Sequence, residues 1–278
     1  YVENIASRYD TYGVPRNFRT HNGDVITLAN TWYGWMIDVD GETEELMKLL
    51  EAGESTTHTP PFDCYAAVYH DGGDDIGDSY IECDFGQQHV YAYVDGNLVW
   101  DSDCVTGSLA NNGKYRTPEG VYTILYKKTP AVLIGDDYET PVTYWMPFIG
   151  ELGIGFHDAS WRSSFGGDIY KNSGSHGCVN LPVSAAEQLF NIVYDGMPVI
   201  CYYLDGTESE QTIGQPDAEK AQAVVDSIAK IGTVTKDSKK KIERARQLYN
   251  DASAEQREYV TNYEVLTAAE EAYQSLKK

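Results

Sequence analysis

The sequence predicts a mainly β protein: a β-sandwich with one prominent helix, preceded by a small α+β piece that reads as truncated at its N-terminus and followed by a three-helix bundle. Three observations predict this. Short β-prone runs broken by Pro and Gly fill the stretch from Tyr80 to Tyr203. Only "VSAAEQLFNIVYDG" (183–196) interrupts them with helical spacing. Beyond Pro216 the composition shifts to Ala, Lys, Glu and Gln, with three apolar stripes at helical spacing.

In residues 1–66, Asn22-Gly23 between short β-prone runs signals a hairpin. A helix fits "ETEELMKLLEAG" (42–53), with Leu46, Leu49 and Leu50 on one face and Gly53 as its stop. "HTPPF" (58–62) marks a boundary. "SYIECDFGQQHVYAYVDGNLVWDSDCVTG" (79–107) then reads as a second hairpin turning at Asp95-Gly96, and "TPEGVYTILYKK" (117–128) and "ETPVTYWMPF" (139–148) continue the strands. In the prominent helix, Ser184 and Glu187 form a capping-box pattern, Ala186, Leu189, Phe190 and Val193 give one apolar stripe, and Asp195-Gly196 ends it. "MPVICYYL" (197–204) reads as a closing buried strand.

After a linker at 206–215, Ala221, Val224, Val225 and Ile228 repeat at helical spacing up to Gly232. Ile242, Ala245, Leu248 and Tyr249 do the same, as do Leu266, Ala269, Ala272, Tyr273 and Leu276. Ser253 with Gln256 and Thr261 with Glu264 supply capping-box patterns between the helices. The expected domains are therefore 1–66, 79–205 and 216–278.

Composition narrows the function. Hydrophobic residues make up 42% of 278, and no apolar run approaches the roughly 18 residues of a membrane span, so a membrane-spanning segment is not expected. The chain opens at Tyr1 without a basic, then apolar, leader, which suggests that upstream sequence was removed. The net charge is −22, and residues 216–278 are balanced at 11 basic and 11 acidic. Residues 1–215 thus hold 10 of the 21 basic and 32 of the 43 acidic residues. Such a field repels phosphate backbones, which argues against a nucleic-acid partner and for a neutral or amine-bearing one.

Five cysteines is an odd number, so one thiol stays unpaired in a monomer even where the others oxidise. Cys64, Cys83, Cys104 and Cys201 lack zinc-type spacing and read as buried thiols, with disulfides as the alternative. Cys178 lies in "GSHGCVNLP" (174–182), where Gly174 and Gly177 favour a turn over a packed stripe. A zinc site joining it to His157 and His176 lacks a fourth ligand at usual spacing. As a nucleophile, Cys178 would precede a helix N-terminus that favours thiolate, with two histidines near enough in the chain to serve as base. Glycines here would also let the Gly177 and Cys178 N–H groups face an oxyanion.

The wider stretch "GFHDASWRSSFGGDIYKNSGSHGCVNLP" places His157 with 17 residues between it and Ser175. It resembles the signature of the L,D-transpeptidase catalytic domain (YkuD) family: a histidine, a spacer of similar length, Ser/Thr-His-Gly-Cys, a variable residue, then Asn or Arg. Val179 fills the variable place and Asn180 the last. "VTG" (105–107), "TPEGVY" (117–122) and "YWMPF" (144–148) are similar to the family's strand and substrate-wall segments, and the resemblance covers roughly 79–203. Residues 15–65, with "FRTHNGDVITL" and "YGW", resemble more loosely the end of a peptidoglycan-binding domain found before this catalytic domain. The bundle resembles helical modules of Gram-positive surface proteins.

The resemblance implies an acyl transfer that cross-links peptidoglycan tetrapeptide stems through a Cys178 thioester, with release of D-Ala. His157 would be the acid and base, oriented by Asp158 or a nearby backbone carbonyl, with His176 shaping the loop or tuning the thiol. Ser175 would stabilise the loop, and Asn180 would tie it down or reach substrate. Tyr144, Trp145, Met146 and Trp161 are candidates for the stem groove, although each residue type is more often core in a sandwich. Arg162 is a candidate for holding a stem carboxylate. The resemblance further implies carbapenem-type β-lactams as covalent inhibitors, an extracellular wall or surface location in a Gram-positive bacterium, and no metal or organic cofactor. An L,D-carboxypeptidase of the same fold and a non-catalytic wall-binding protein are the alternatives.

Overall fold

The computed structural model describes residues 1–29, 31–53, 55–69, 75–135, 139–204, 212–213, 216–251, 257 and 260–276. They divide into two compact units: Tyr1–Asn17 with Leu28–Thr212, and Phe18–Thr27 with Ile213–Lys278.

In chain order the first stretch holds α1 (Val2–Tyr9), β1 (Arg16–Arg19), β2 (Val25–Leu28), β3 (Met36–Ile37), α2 (Val39–Ala52) and β4 (Phe62–Cys64). Strands β1 and β2 form the hairpin expected at Asn22-Gly23, with Gly23 at φ +88°, a value that glycine adopts without strain. Helix α2 begins three residues before the expected start at Glu42. The Asp38 side chain caps it by accepting from the Gly41 N–H at 2.8 Å, and Gly53 ends it in the left-handed conformation. Leu46 packs against Val2, Ala6 and Ile37, whereas Leu50 is 74% exposed and lies off the buried face. Beneath this piece Arg16 and Asp75 form an ion pair of 2.8 Å with both side chains fully buried; the Thr11 hydroxyl also donates to Asp75.

From Tyr80 onward the first unit is two sheets around one core. Strands β5 (Tyr80–Asp84), β6 (His89–Val94) and β7 (Asn97–Asp103) are followed by a single turn, α3 (Ala110–Gly113), and by β8 (Gly120–Thr123). Then come β9 (Ala131–Ile134), β10 (Glu139–Val142), β11 (Trp145–Ile149), β12 (Ile154–Asp158), α4 (Ile169–Ser173), β13 (Val179–Leu181), α5 (Val183–Ile192) and β14 (Pro198–Tyr202). The larger sheet has the order β7-β6-β5-β14-β8, the smaller β11-β12-β13, and β9 pairs with β10 as a separate ribbon. The β6–β7 hairpin turns at Asp95 (φ +49°) and Gly96 (φ +75°), the two positive values that a two-residue hairpin loop requires.

The sandwich is mixed rather than purely antiparallel, because β14 runs parallel to β5 and β13 parallel to β12. Helix α5 makes the crossover that leads from β13 back to β14. Inner-face residues of both sheets, such as Ile81 and Val199 against Phe148, Phe156 and Leu181, share one core with Ala186 and Leu189 of α5. Two expectations for α5 fail. Pro182 occupies the N-cap, so Ser184 and Glu187 form no capping box, and the helix stops at Ile192 because Val193 turns extended and buries its side chain.

In the second unit α6 (Pro216–Ala229), α7 (Lys239–Asp251) and α8 (Tyr263–Ser275) bury Ala221, Val224, Ile228, Ile242, Ala245, Leu266 and Ala269 together. Arg246 of α7 donates twice to the Glu270 carboxylate of α8, at 2.7 and 2.6 Å. Leu276 is exposed, and Asn262 rather than Thr261 is the N-cap of α8, with no side-chain cap bond. The Ser253–Gln256 pattern lies outside the described residues, as does the 206–215 linker except for 212–213.

Candidate active site

Strand order alone brings the distant motif residues together. Because β12 and β13 are parallel neighbours, His157 is in register with Asn180, and Cys178 stands one residue before β13. The loop ahead of it is docked along residues 105–108: Ser175 N–H donates to Thr106 O at 2.8 Å and Ser108 N–H to Ser175 O at 3.0 Å. Gly174 is needed for this approach, since a Cβ there would lie 2.5 Å from Ser108 N.

These residues line a cavity of about 330 Å³. His157, Ser175, His176, Cys178 and Asn180 are in its wall, joined by Trp161, Arg162 and Gly174. Leu133 of β9 and Thr140 of β10, a register pair, supply a further wall. That wall was missed in the sequence; its only signal was the pair of β-prone runs around Gly135. Met146 is fully buried in the sandwich core and does not reach the cavity. Trp145 is buried against Ala131, Val142 and Cys178, with its ring 6.1 Å from that of His157, and Tyr144 packs on Phe190; neither lines the cavity.

The His157 ring is held as a neutral imidazole in one tautomer. Its Nδ1 lies 2.9 Å from Asp158 O, and because a carbonyl only accepts, Nδ1 carries the proton and Nε2 keeps its lone pair. Burial lowers the imidazole pKa, an effect opposed by that backbone bond and by the Asp158 charge. The Asp158 carboxylate serves elsewhere: Oδ1 accepts from the Thr143 and Tyr144 N–H groups, both at 2.8 Å, and fixes the turn into β11. The orienting group is therefore the carbonyl of Asp158, not its side chain.

Cys178 is partly exposed, and its thiol contacts Gly153 O at 3.5 Å. Burial raises its pKa to about 11, offset in part by the Gly155 N–H. The sequence had suggested a thiolate favoured by a helix N-terminus. Instead Cys178 leads into a strand, and α5 begins only at Val183, so a neutral thiol shares its cavity with a neutral imidazole. The oxyanion expectation also changes. Gly177 N–H donates to Ser175 Oγ at 3.0 Å, whereas the Cys178 N–H has no acceptor among the described residues.

Ser175 Oγ in turn donates to Cys178 O, closing the loop on itself. The His176 ring packs 4.4 Å from that of Tyr115. Arg162 donates to Ser173 O at 2.9 Å through one terminal nitrogen, while its buried Nε and the buried Asn180 Oδ1 have no partner among the described residues. Cys64, Cys83, Cys104 and Cys201 are free thiols like Cys178, and the first of them is partly exposed. No cluster of three or more His, Cys, Asp or Glu suited to a metal occurs among the described residues.

The family model of the L,D-transpeptidase catalytic domain matches residues 78–201. A crystal structure of a cysteine-to-serine mutant of L,D-transpeptidase from Enterococcus faecium is 35% identical. It covers 73% of this chain and 79% of its own length, with a TM-score of 0.58. The Ldtfm–avibactam carbamoyl enzyme is also 35% identical, covers 73% and 78%, and gives the same TM-score of 0.58. An NMR structure of the catalytic domain from the E. faecium enzyme is 42% identical over 45% of this chain and 97% of that one, with a TM-score of 0.41. Comparison with curated protein sequences gave no match. With the histidine, the cysteine and their loop assembled on this fold, the chain belongs to the L,D-transpeptidase (YkuD) family.

Proposed function

We propose that the protein cross-links peptidoglycan by a two-step acyl transfer on Cys178. The observation that carries this reading is the shared cavity of Cys178 and a His157 whose Nδ1 proton is committed to Asp158 O, which leaves Nε2 as the base. In the first step Sγ attacks the carbonyl carbon of the third residue of a tetrapeptide stem while its proton passes to Nε2. The oxyanion takes the Cys178 N–H; the C–N bond then breaks, the proton goes to the leaving D-Ala amine, and a thioester remains. In the second step an acceptor amine adds to the thioester carbon, its proton goes to Nε2, and Sγ leaves to be reprotonated. This chemistry calls for no metal or organic cofactor.

Arg162 Nε, buried without an acceptor among the described residues, and the exposed Trp161 ring are the groups best placed to hold the stem, with Asn180 Oδ1 as an acceptor toward it. His176 and Tyr115 shape the loop side of the cavity. Carbapenem-type β-lactams are the inhibitors this nucleophile suits; a relative forms a carbamoyl enzyme with avibactam, an electrophile of another class. No helix among the described residues is long and apolar enough to cross a membrane. An extracellular site in a Gram-positive wall, with wall-binding residues 1–66, a catalytic domain at 79–205 and an accessory bundle at 216–278, completes the proposal.

Incubation of the protein with purified tetrapeptide muropeptides, followed by product masses, tests it. A dimer one D-Ala lighter than two substrates is expected. A stem shortened by one residue with no dimer indicates hydrolysis instead, and unchanged substrate with wall binding that survives Cys178→Ala indicates a non-catalytic binder.

A further inference from the structure

We propose that Thr117 is a positioning residue for the oxyanion donor of Cys178, an inference that rests on the acyl-transfer reading above. Thr117 is fully buried, and its hydroxyl makes two hydrogen bonds. The Gly107 N–H lies 2.9 Å from Oγ1, and Gly177 O lies 2.7 Å from it. Both directions are forced: an N–H only donates and a carbonyl only accepts, so the single hydroxyl proton goes to Gly177 O.

That bond sets the orientation of the peptide unit joining Gly177 to Cys178. In a planar trans peptide the C=O and N–H point to opposite sides. Anchoring the Gly177 carbonyl inward on Thr117 therefore turns the Cys178 N–H outward, toward the cavity that Cys178 lines. Gly177 holds φ +130°, a conformation other residues rarely adopt, so the orientation is built by a glycine and kept by the threonine. The adjacent donor is already spent, because Gly177 N–H is bound to Ser175 Oγ. Of these two loop amides, the Cys178 N–H is the one with no acceptor among the described residues, and its aim depends on a hydroxyl 60 residues before Gly177 that lines none of the cavity.

Thr117 has little room to drift. A Cβ on Gly107 would fall 2.7 Å from Thr117 N, which shows how closely the two backbones approach, and the Tyr203 hydroxyl lies 3.4 Å from Thr117 O.

The test separates aim from mere loop stability by comparing two reactions of the same sulfur. Acylation by a stem peptide or β-lactam passes through an oxyanion; alkylation by iodoacetamide displaces iodide at a saturated carbon and forms none. Thr117→Val, which keeps shape and loses the hydroxyl, is expected to slow acylation by about tenfold or more. Outright removal of an oxyanion donor typically costs ~10²–10³. Alkylation of Cys178 should stay within about twofold, and Thr117→Ser should restore acylation. Should the valine variant fail to fold, Thr117→Ala, which removes the same hydroxyl without adding bulk, is expected to show the same selective loss. An equal fall in both rates, or acylation at the original rate, overturns the proposal. Wild-type protein that is alkylated but never acylated points instead to failure of the acyl-transfer reading.

Discussion

The protonation state of the Cys178–His157 pair can be read by titrating the thiol's reactivity. Burial pushes the Cys178 thiol up to about 11 and moves His157 down, so both shifts favour the neutral pair. With a thiol pKa near 11, only about one molecule in 10⁴ carries a thiolate at pH 7. The fraction grows about tenfold per pH unit until the pKa is approached. Alkylation by excess iodoacetamide, followed at Cys178 by peptide mapping so that the partly exposed Cys64 does not contribute, should accelerate about 100-fold between pH 7 and 9 without levelling. A plateau with a midpoint below about pH 8 would refute the reasoning. It would mean that an ion pair, stabilised by something other than the groups around this sulfur, exists before substrate arrives.

Two further outcomes follow from the same geometry. His157→Ala should lower the acylation rate by about 10²–10⁴ in stopped-flow or mass-spectrometric measurements, while the slope of alkylation against pH stays as in the wild type. Asp158→Ala removes the buried carboxylate that accepts from the Thr143 and Tyr144 amides and should cost about 1–3 kcal/mol in urea unfolding, whereas Asp158→Asn, which retains an oxygen, should cost less.

Local chemistry was readable in the sequence wherever one residue's backbone decides the outcome. Both hairpins turn where Asn22-Gly23 and Asp95-Gly96 were expected to turn, because positive φ must fall on such residues. The stop of α2 at Gly53 has the same basis. Patterns that depend on packing were less legible. Leu50 shares helical spacing with Leu46 but faces solvent, and Ser184 with Glu187 has the capping-box spacing but sits one residue inside a helix capped by Pro182 and begun at Val183. The order of His157 and Cys178 along the chain was visible; their convergence needed the parallel pairing of β12 with β13, which no spacing encodes. The neutral thiol was hidden for the same reason. A cysteine five residues before a helix is electrostatically unlike one at its N-terminus, and a three-residue strand lies in between. Thr117 opens the "TPEGVY" segment already singled out, but its contact with Gly177 was invisible, as was the Leu133–Thr140 wall, because both reach the site only through tertiary contact.

The central claim is that Cys178 carries the acyl group. Intact-mass and peptide-mapping analysis after brief incubation with a tetrapeptide stem tests it most directly. The account predicts one adduct per chain, equal in mass to the stem less D-Ala, located on Cys178, absent from Cys178→Ala and slow to form in His157→Ala. An adduct on another residue, or cross-linked product that forms in Cys178→Ala, contradicts it.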